Sequence, residues 1–288
     1  MAKKFSIIVL VVLMLTLFGS AQAITWGALD GTAHPYVVGI LFQRPDGLYS
    51  CTGTLLTPYV VITAGHCTEE VGQVNLATWV RNAPDLDAVY AAERPAYPVG
   101  AAGRTQYLNA KWTIGQAVPH PQYDDYNQFP YTYDVGVILL QTPIVLSEYG
   151  QMPTLRQFDF LDKQRGSNNG DRVFTSVGYG RQEIVPVSSE ALRNDWVRMV
   201  ATSSLINTRS ANTGGVSFMY SENPGGGNGT GGTCFGDSGG PQFYKNTRTL
   251  ASVTSFGITA QCNGNGYSYR TDIAETQGFV MPYLTWHP

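Results

Sequence analysis

The sequence predicts an all-β body built as two packed halves, and three observations carry that prediction. Short runs of β-forming residues recur between Gly, Pro, Asn and Asp: Tyr36–Phe42, Tyr59–Thr63, Val135–Leu140, Arg172–Val177 and Leu250–Phe256. Such runs read as strands of a barrel or sandwich. Helical periodicity is scarce: Glu190 to Val200 fits either element, and Asp272 to Leu284 is the best stretch for a short terminal helix. Finally, the chain is long for one ordinary domain but of normal length for a large all-β body in two halves. The β pattern lapses between Glu148 and Gly166, which divides the body into 24–155 and 156–288.

Residues 1–23 stand outside this body. Lys3 and Lys4 precede an apolar run from Phe5 to Phe18, and Ala21-Gln22-Ala23 supplies small residues at the end. That pattern is a secretory signal, too short for a membrane anchor. Cleavage after Ala23 leaves an exported chain of 265 residues starting at Ile24, with no membrane association once the signal is gone. Hydrophobic residues make up 43% of the sequence, enough for a core and against hyperacidic disorder. The net charge of −3 carries no cluster of Lys and Arg suited to nucleic acid.

Four cysteines in an exported chain imply two disulfides, with three connectivities open. The nearest-neighbour choice is Cys51–Cys67 with Cys234–Cys262, and the spacing, with no C-x-x-C, makes a zinc site a poor rival. Neither a metal nor a cofactor is expected. Two stretches read as surface loops: the Pro- and Ala-rich region from Asn82 to Gly103, and Ser221 to Thr233 with six glycines. No Lys-Ser/Thr follows those glycines, which argues against a phosphate-cradling loop. The second stretch carries the N-glycosylation acceptor Asn228-Gly229-Thr230.

The chemistry concentrates in Cys234 to Pro241, "CFGDSGGP". A serine flanked by glycines can approach a substrate closely and leave neighbouring backbone N–H groups open to a developing oxyanion. The same residues fit the G-x-S-x-G nucleophile elbow, but that fold needs its histidine after the serine, and only His287 lies there. Of the four histidines, His34 lies near the new terminus, His120 in "VPHPQY" reads as a surface or turn residue, and His66 ends "VVITAGHC" beside Cys67. His66 is the candidate base. Asp124 and Asp125 read as solvated loop acids. Asp134 stands at the mouth of an apolar strand, where a buried carboxylate needs a partner such as a histidine N–H.

"TAGHC", "YDVGVILL" and "GDSGGP", in the order His, Asp, Ser, resemble the chymotrypsin/trypsin family of serine endopeptidases across essentially the whole mature chain. The resemblance implies two packed six-stranded antiparallel β-barrels with the cleft between them, His66 and Asp134 from the first and Ser238 from the second. It implies oxyanion donors on the N–H groups of Gly236 and Ser238, and a disulfide clasping the histidine loop with another bracing the specificity pocket. "VGYG", Val177 to Gly180, resembles the family's Gly-Trp-Gly turn. "SFG", Ser255 to Gly257, resembles the segment that pairs with substrate backbone. Protein or peptide substrates follow, as do protein inhibitors and a monomer. Relatives that have become inactive binding proteins do so by losing triad residues, and all three are present here.

Aligned on "GDSGG", the pocket floor falls on Gly232 and Thr233, with no carboxylate, so a Lys or Arg side chain would enter with its charge unpaired. With Gly257 and Gly266 leaving the mouth open, the expectation is a chymotrypsin-like preference for large apolar residues before the cut. Acidic or small residues are the alternatives, Thr233 being able to donate a hydrogen bond. In active members of the family a new N-terminus folds inward onto the aspartate before the nucleophile, here Asp237. Signal cleavage at Ile24 would then itself be the activating cut, with Trp26 as an indole that the insertion pocket must accommodate or avoid.

Overall fold

The structure is a computed structural model and describes residues 24–70, 72–164, 170–181, 196–225, 227 and 229–288. The leader and Asn228 of the glycosylation acceptor lie outside the described residues, as does most of the ambiguous 190–200 stretch.

The apolar run after Pro35 forms β2 (Val37–Arg44), following a two-residue strand β1 (Ala28–Leu29). β3 (Gly47–Leu55) returns along β2 in a tight hairpin, and the fully buried run VVIT forms β4 (Val60–Thr63). A small ribbon, β5 (Glu69–Glu70) with β6 (Gln73–Val74), leads to β7 (Ala77–Arg81). Beyond an insertion come β8 (Thr113–Pro119) and β9 (Gly136–Leu140), and the order β2-β3-β4-β9-β8-β7 closes as a barrel.

The second barrel uses β10 (Val173–Gly178), β11 (Met199–Asn207), β12 (Ser217–Ser221), β13 (Pro241–Tyr244), β14 (Leu250–Gly257) and β15 (Asn265–Arg270). These run β11-β10-β13-β14-β15-β12, and the β11–β12 pairing closes the ring. Both barrels are antiparallel and six-stranded, the architecture expected. Closure removes exposed strand edges and packs each interior with alternate side chains.

The insertion between β7 and β8 corrects one expectation. The 82–103 stretch is not a bare surface loop: it forms α1 (Leu86–Glu93), and α2 (Gly100–Lys111) begins before it ends. Asp85 caps α1 by accepting the Ala88 N–H at 2.8 Å. Alanine favours helix without marking a face, so periodicity missed it. Leu86, Tyr107 and Leu108 are buried against the first barrel.

The termini cross over. β1 pairs with β11 of the second barrel. At the other end α3 (Ala274–Val280) and the 3₁₀ turn after it, the terminal helix expected, pack on the first: Phe279 meets the His120 ring at 5.0 Å and Trp286 meets Tyr59 at 6.2 Å. The strands of each barrel are contiguous in the chain, β2–β9 and β10–β15, and it is the terminal segments that cross to the other barrel. His120 is consequently buried in its turn rather than at the surface.

Candidate active site

β4 and β9 pair so that Thr63 lies opposite Gly136. The chain leaving β4 turns through a 3₁₀ segment at Gly65–Cys67, and the chain entering β9 carries Asp134, so the two strand ends bring His66 and Asp134 together. Nδ1 of His66 lies 3.0 Å from Oδ2 and 3.1 Å from Oδ1 of Asp134, and the His66 backbone N–H donates to Oδ1 at 2.9 Å. Asp134 is 0% exposed. The Ser255 and Tyr126 hydroxyls both donate to Oδ2, Tyr126 at 2.9 Å. Burial pushes the Asp134 carboxyl up, but the His66 charge and the bonds from His66 and Ser255 outweigh it and hold the group below its usual range. Burial, then the Asp134 charge, pushes the Tyr126 phenol well above its ordinary range, so it acts as a donor. Arg44 fixes the turn from outside, donating to the His66 carbonyl at 2.5 Å. His34 and His287 are engaged elsewhere, with Asp30 and the Thr285 carbonyl.

Ser238 sits on the turn between Cys234 and β13. Its carbonyl accepts the Thr52 N–H at 2.9 Å, and the Thr52 hydroxyl donates to the Gly236 carbonyl at 2.8 Å, so β3 braces the turn across the barrel interface. The Phe235 carbonyl accepts the Arg181 N–H at 2.8 Å, and the Asp237 carbonyl accepts the Gly240 N–H at 2.8 Å. In a trans peptide the N–H points opposite the C=O. The Gly236 and Ser238 N–H groups are therefore turned away from those two partners. Gly236 needs its φ of +99° for this, a region closed to most side chains. Gly236, Ser238 and His66 line one cavity of about 630 Å³, and Ser238 and His66 also line a second of about 360 Å³.

The second cavity is walled by Ser255, Phe256, Gly257, Cys262 and Thr233, all but Cys262 predicted for the specificity pocket. Phe256 stacks on Tyr267 at 4.7 Å and meets Tyr126 edge-on at 5.6 Å. A Cβ on Gly257 would meet nothing within 4 Å, so the mouth there is open. The floor is a correction. Glu222, at the end of β12, places its carboxyl between Gly232 and Gly266: a Cβ on Gly232 would lie 1.9 Å from Oε2, and one on Gly266 would lie 1.6 Å from Oε1. The space left by Gly266 is thus filled, and the pocket does hold a carboxylate. Residue by residue Gly232 carried none, and Glu222, ten positions earlier in a glycine-rich loop, gave no sequence signal of facing it. Glu222 accepts from the Thr233 N–H and from the Thr233 hydroxyl, the latter at 3.0 Å. Burial, more than the Thr233 bonds can offset, pushes its carboxyl up to about 8.

Ile24 is 0% exposed and packs with Met199 and Ala201 of β11. Thr25 next to it bridges Gly232, whose N–H donates to the Thr25 carbonyl at 3.2 Å. Trp26 is 70% exposed, so the indole avoids the interior. Asp237 is buried and takes the Gly180 N–H at 2.8 Å and the Cys234 N–H at 2.9 Å. Burial pushes it up to about 7. Among the described residues no ion pair or hydrogen bond joins Ile24 to Asp237, Ile24 here being still peptide-bonded to Ala23.

Both disulfides take the nearest-neighbour pairing, Cys51–Cys67 beside His66 and Cys234–Cys262 beside the pocket. Cys51, Cys67 and His66 offer donor atoms within 4.8 Å of one another. The two sulfurs are bonded to each other, so no thiolate is available there for a metal.

The family model of Trypsin matches residues 28–280. The chain belongs to the trypsin family. Among its relatives within the trypsin family, brachyurin of Leptuca pugilator is 27% identical over 247 residues, covering 82% of this chain and 91% of that one. Chymotrypsin of Phaedon cochleariae is 26% identical, covering 88% and 76%. The phenoloxidase-activating enzyme of Bombyx mori is 25% identical, and the match spans 57% of its length. The trypsin-family fold is matched by a solved HL collagenase, with TM-score 0.62 at 15% identity, over 92% of this chain and all of that one.

Proposed function

We propose that this serine endopeptidase cleaves peptide bonds through a triad of Ser238, His66 and Asp134 and an acyl-enzyme. The observation that carries the reading is the His66–Asp134 pair opening onto the cavity that Ser238 also lines. His66 takes the Ser238 proton as Oγ attacks the scissile carbonyl, and Asp134 stabilises the imidazolium so formed. The proton then passes to the leaving amine, and water hydrolyses the acyl-enzyme through the same base. The orientation of the Gly236 and Ser238 N–H groups supports their role as oxyanion donors. Ser238→Ala is expected to abolish peptide hydrolysis and labelling by a serine-directed fluorophosphonate while the fold persists. Unchanged hydrolysis would overturn the assignment.

Removal of the leader is the activating step in this reading. Asp237 is a buried carboxyl held by two backbone N–H groups, with no ion pair among the described residues. Ile24 holds φ at +48°, a region disfavoured for a β-branched residue. Cutting the 23–24 bond abolishes that constraint, because the clash involves the preceding carbonyl, and creates an ammonium able to pair with Asp237. A chain carrying extra residues before Ile24 is expected to be poorly active. Full activity would sink the activation step and leave the triad standing.

The leader-like residues 1–23 and the two disulfides support an exported enzyme. Among the described residues no helix is long and apolar enough to cross a membrane. The chain acts on protein or peptide substrates; we place it as a monomer whose cleft is open to protein inhibitors.

A further inference from the structure

We propose that Glu222 is the specificity-determining residue of this site and selects a lysine or arginine side chain before the cleaved bond. The inference rests on Ser238 being the nucleophile, because the second cavity earns its role from lying beside that serine. The family-aligned floor position is Gly232, which has no side chain. The carboxyl comes instead from another element, the end of β12, and occupies the room that Gly232 and Gly266 both leave.

Three features fit a cationic occupant. The residues lining the cavity are His66, which the triad uses, Glu222, and otherwise neutral side chains, so Glu222 is the one acid in the lining, charged once it gives up its proton. Glu222 is 4% exposed, and its recorded partners are the Thr233 N–H and hydroxyl, with no ion pair among the described residues. Among the described residues the charged group that acts on it is another buried carboxyl, Asp237, which repels. A buried ionised carboxyl without a cation is costly. A guanidinium or ammonium from the substrate supplies the missing charge inside the pocket, where screening is weak. A neutral side chain leaves Glu222 to be neutralised by a proton, and an acidic one adds a second negative charge. Selection is therefore also pH-dependent: Glu222 is protonated below about 8 in the empty pocket, and a basic side chain must displace that proton.

The experiment compares kcat/KM for peptide amides that differ only before the cleaved bond: arginine, its neutral isostere citrulline, and phenylalanine. For the chain starting at Ile24, arginine is expected to lead citrulline at least tenfold, with the ratio rising from pH 6.5 to 9. The triad acts equally on both substrates, so its contribution cancels from the ratio. Glu222→Gln is expected to lower the ratio at least tenfold and flatten its pH dependence, with fluorophosphonate labelling of Ser238 retained as the sign of an intact site. A wild-type ratio near one, or a ratio that Glu222→Gln leaves unchanged, overturns the proposal. If Glu222→Gln does not take the label, the pH dependence of the wild-type ratio decides alone: rising supports, flat overturns. Absence of labelling in the wild type would instead refute the nucleophile assignment, which separates the two failures.

Discussion

Three buried carboxyls meet two different fates, decided by what each can reach. Asp134 has a histidine and two hydroxyl donors and is held ionised; among the described residues Glu222 and Asp237 have hydrogen bonds from neutral groups alone, and burial pushes both up. Tyr126 is the donor on Asp134 that no motif announced, because a tyrosine in the polar loop after Asp124-Asp125 looks like any other. The proposed triad members stood out because they fall in short motifs in the order His, Asp, Ser. Tyr126 bonds Asp134 only 8 positions on and Glu222 bonds Thr233 11 positions on, but loop conformation, which no spacing encodes, turns each onto its partner. Tyr126→Phe removes one hydrogen bond to a charged group and is expected to cost about 1.5–3 kcal/mol of stability at pH 7. The sign follows from Asp134. Its folded pKa is lowered, so its contribution is present above the unfolded carboxylate range and lost as pH falls through the folded value. The gap between parent and variant in urea denaturation should therefore narrow from pH 7 to pH 3. A gap that is constant with pH would mean that the hydroxyl is not acting on the carboxylate.

At the scale of elements, the turn from Cys234 to β13 is held on all sides before any substrate arrives. β3 reaches it through Thr52, the strand β14 through the Thr254 carbonyl, and the turn after β10 through Gly180 and Arg181. A Cβ on Gly236 would come 3.0 Å from the Gly180 Cα, and the residue's φ of +99° is closed to alanine. Gly236→Ala must rotate the 235–236 peptide away from its Arg181 partner and so displaces a proposed oxyanion donor. Loss of one such donor costs roughly 10²–10³ in kcat, and that fall, with KM changed far less, is the expected outcome in steady-state kinetics. Comparable loss in both constants would point to general collapse of the turn. The strands that shape this site were legible because β-branched runs between turn residues have few other uses. α1 and α2 were not, since an alanine-rich amphipathic signal is faint and Asp85 as a cap is visible only once the helix is known. They matter to the site: Asp87, Tyr90, Arg104 and Leu108 help to wall the cavity of about 630 Å³ that Ser238 and His66 also line.

Across the whole molecule, each barrel is held by the other barrel's end of the chain, and the N-terminal strap runs directly into the pocket. Ile24 packs on β11, Thr25 bridges Gly232, and Gly232 lies against Glu222. Two buried acids therefore share one architecture with no ion pair of their own among the described residues; in the proposed reading the new terminus answers Asp237 and the substrate answers Glu222. Folding stability should report the first of these pairings. In a chain extended before Ile24, Asp237 titrates near 7, above its unfolded value, so its contribution is present at low pH and lost as pH rises through about 7. In a chain starting at Ile24, the ammonium pairs with Asp237, pulls its pKa down and reverses that slope. Glu222 is common to both forms and is pushed up chiefly by burial, which the new terminus leaves in place, so the difference between the two chains reports Asp237 first. The processed chain is thus expected to gain on the extended one between pH 5 and pH 8, by about 3–5 kcal/mol, the usual cost of leaving one partner of a buried pair alone. Denaturant midpoints of the Ser238→Ala form, which cannot digest itself, measure this at pH 5, 6.5 and 8. Parallel pH profiles for the two chains would show that Asp237 is indifferent to the new terminus.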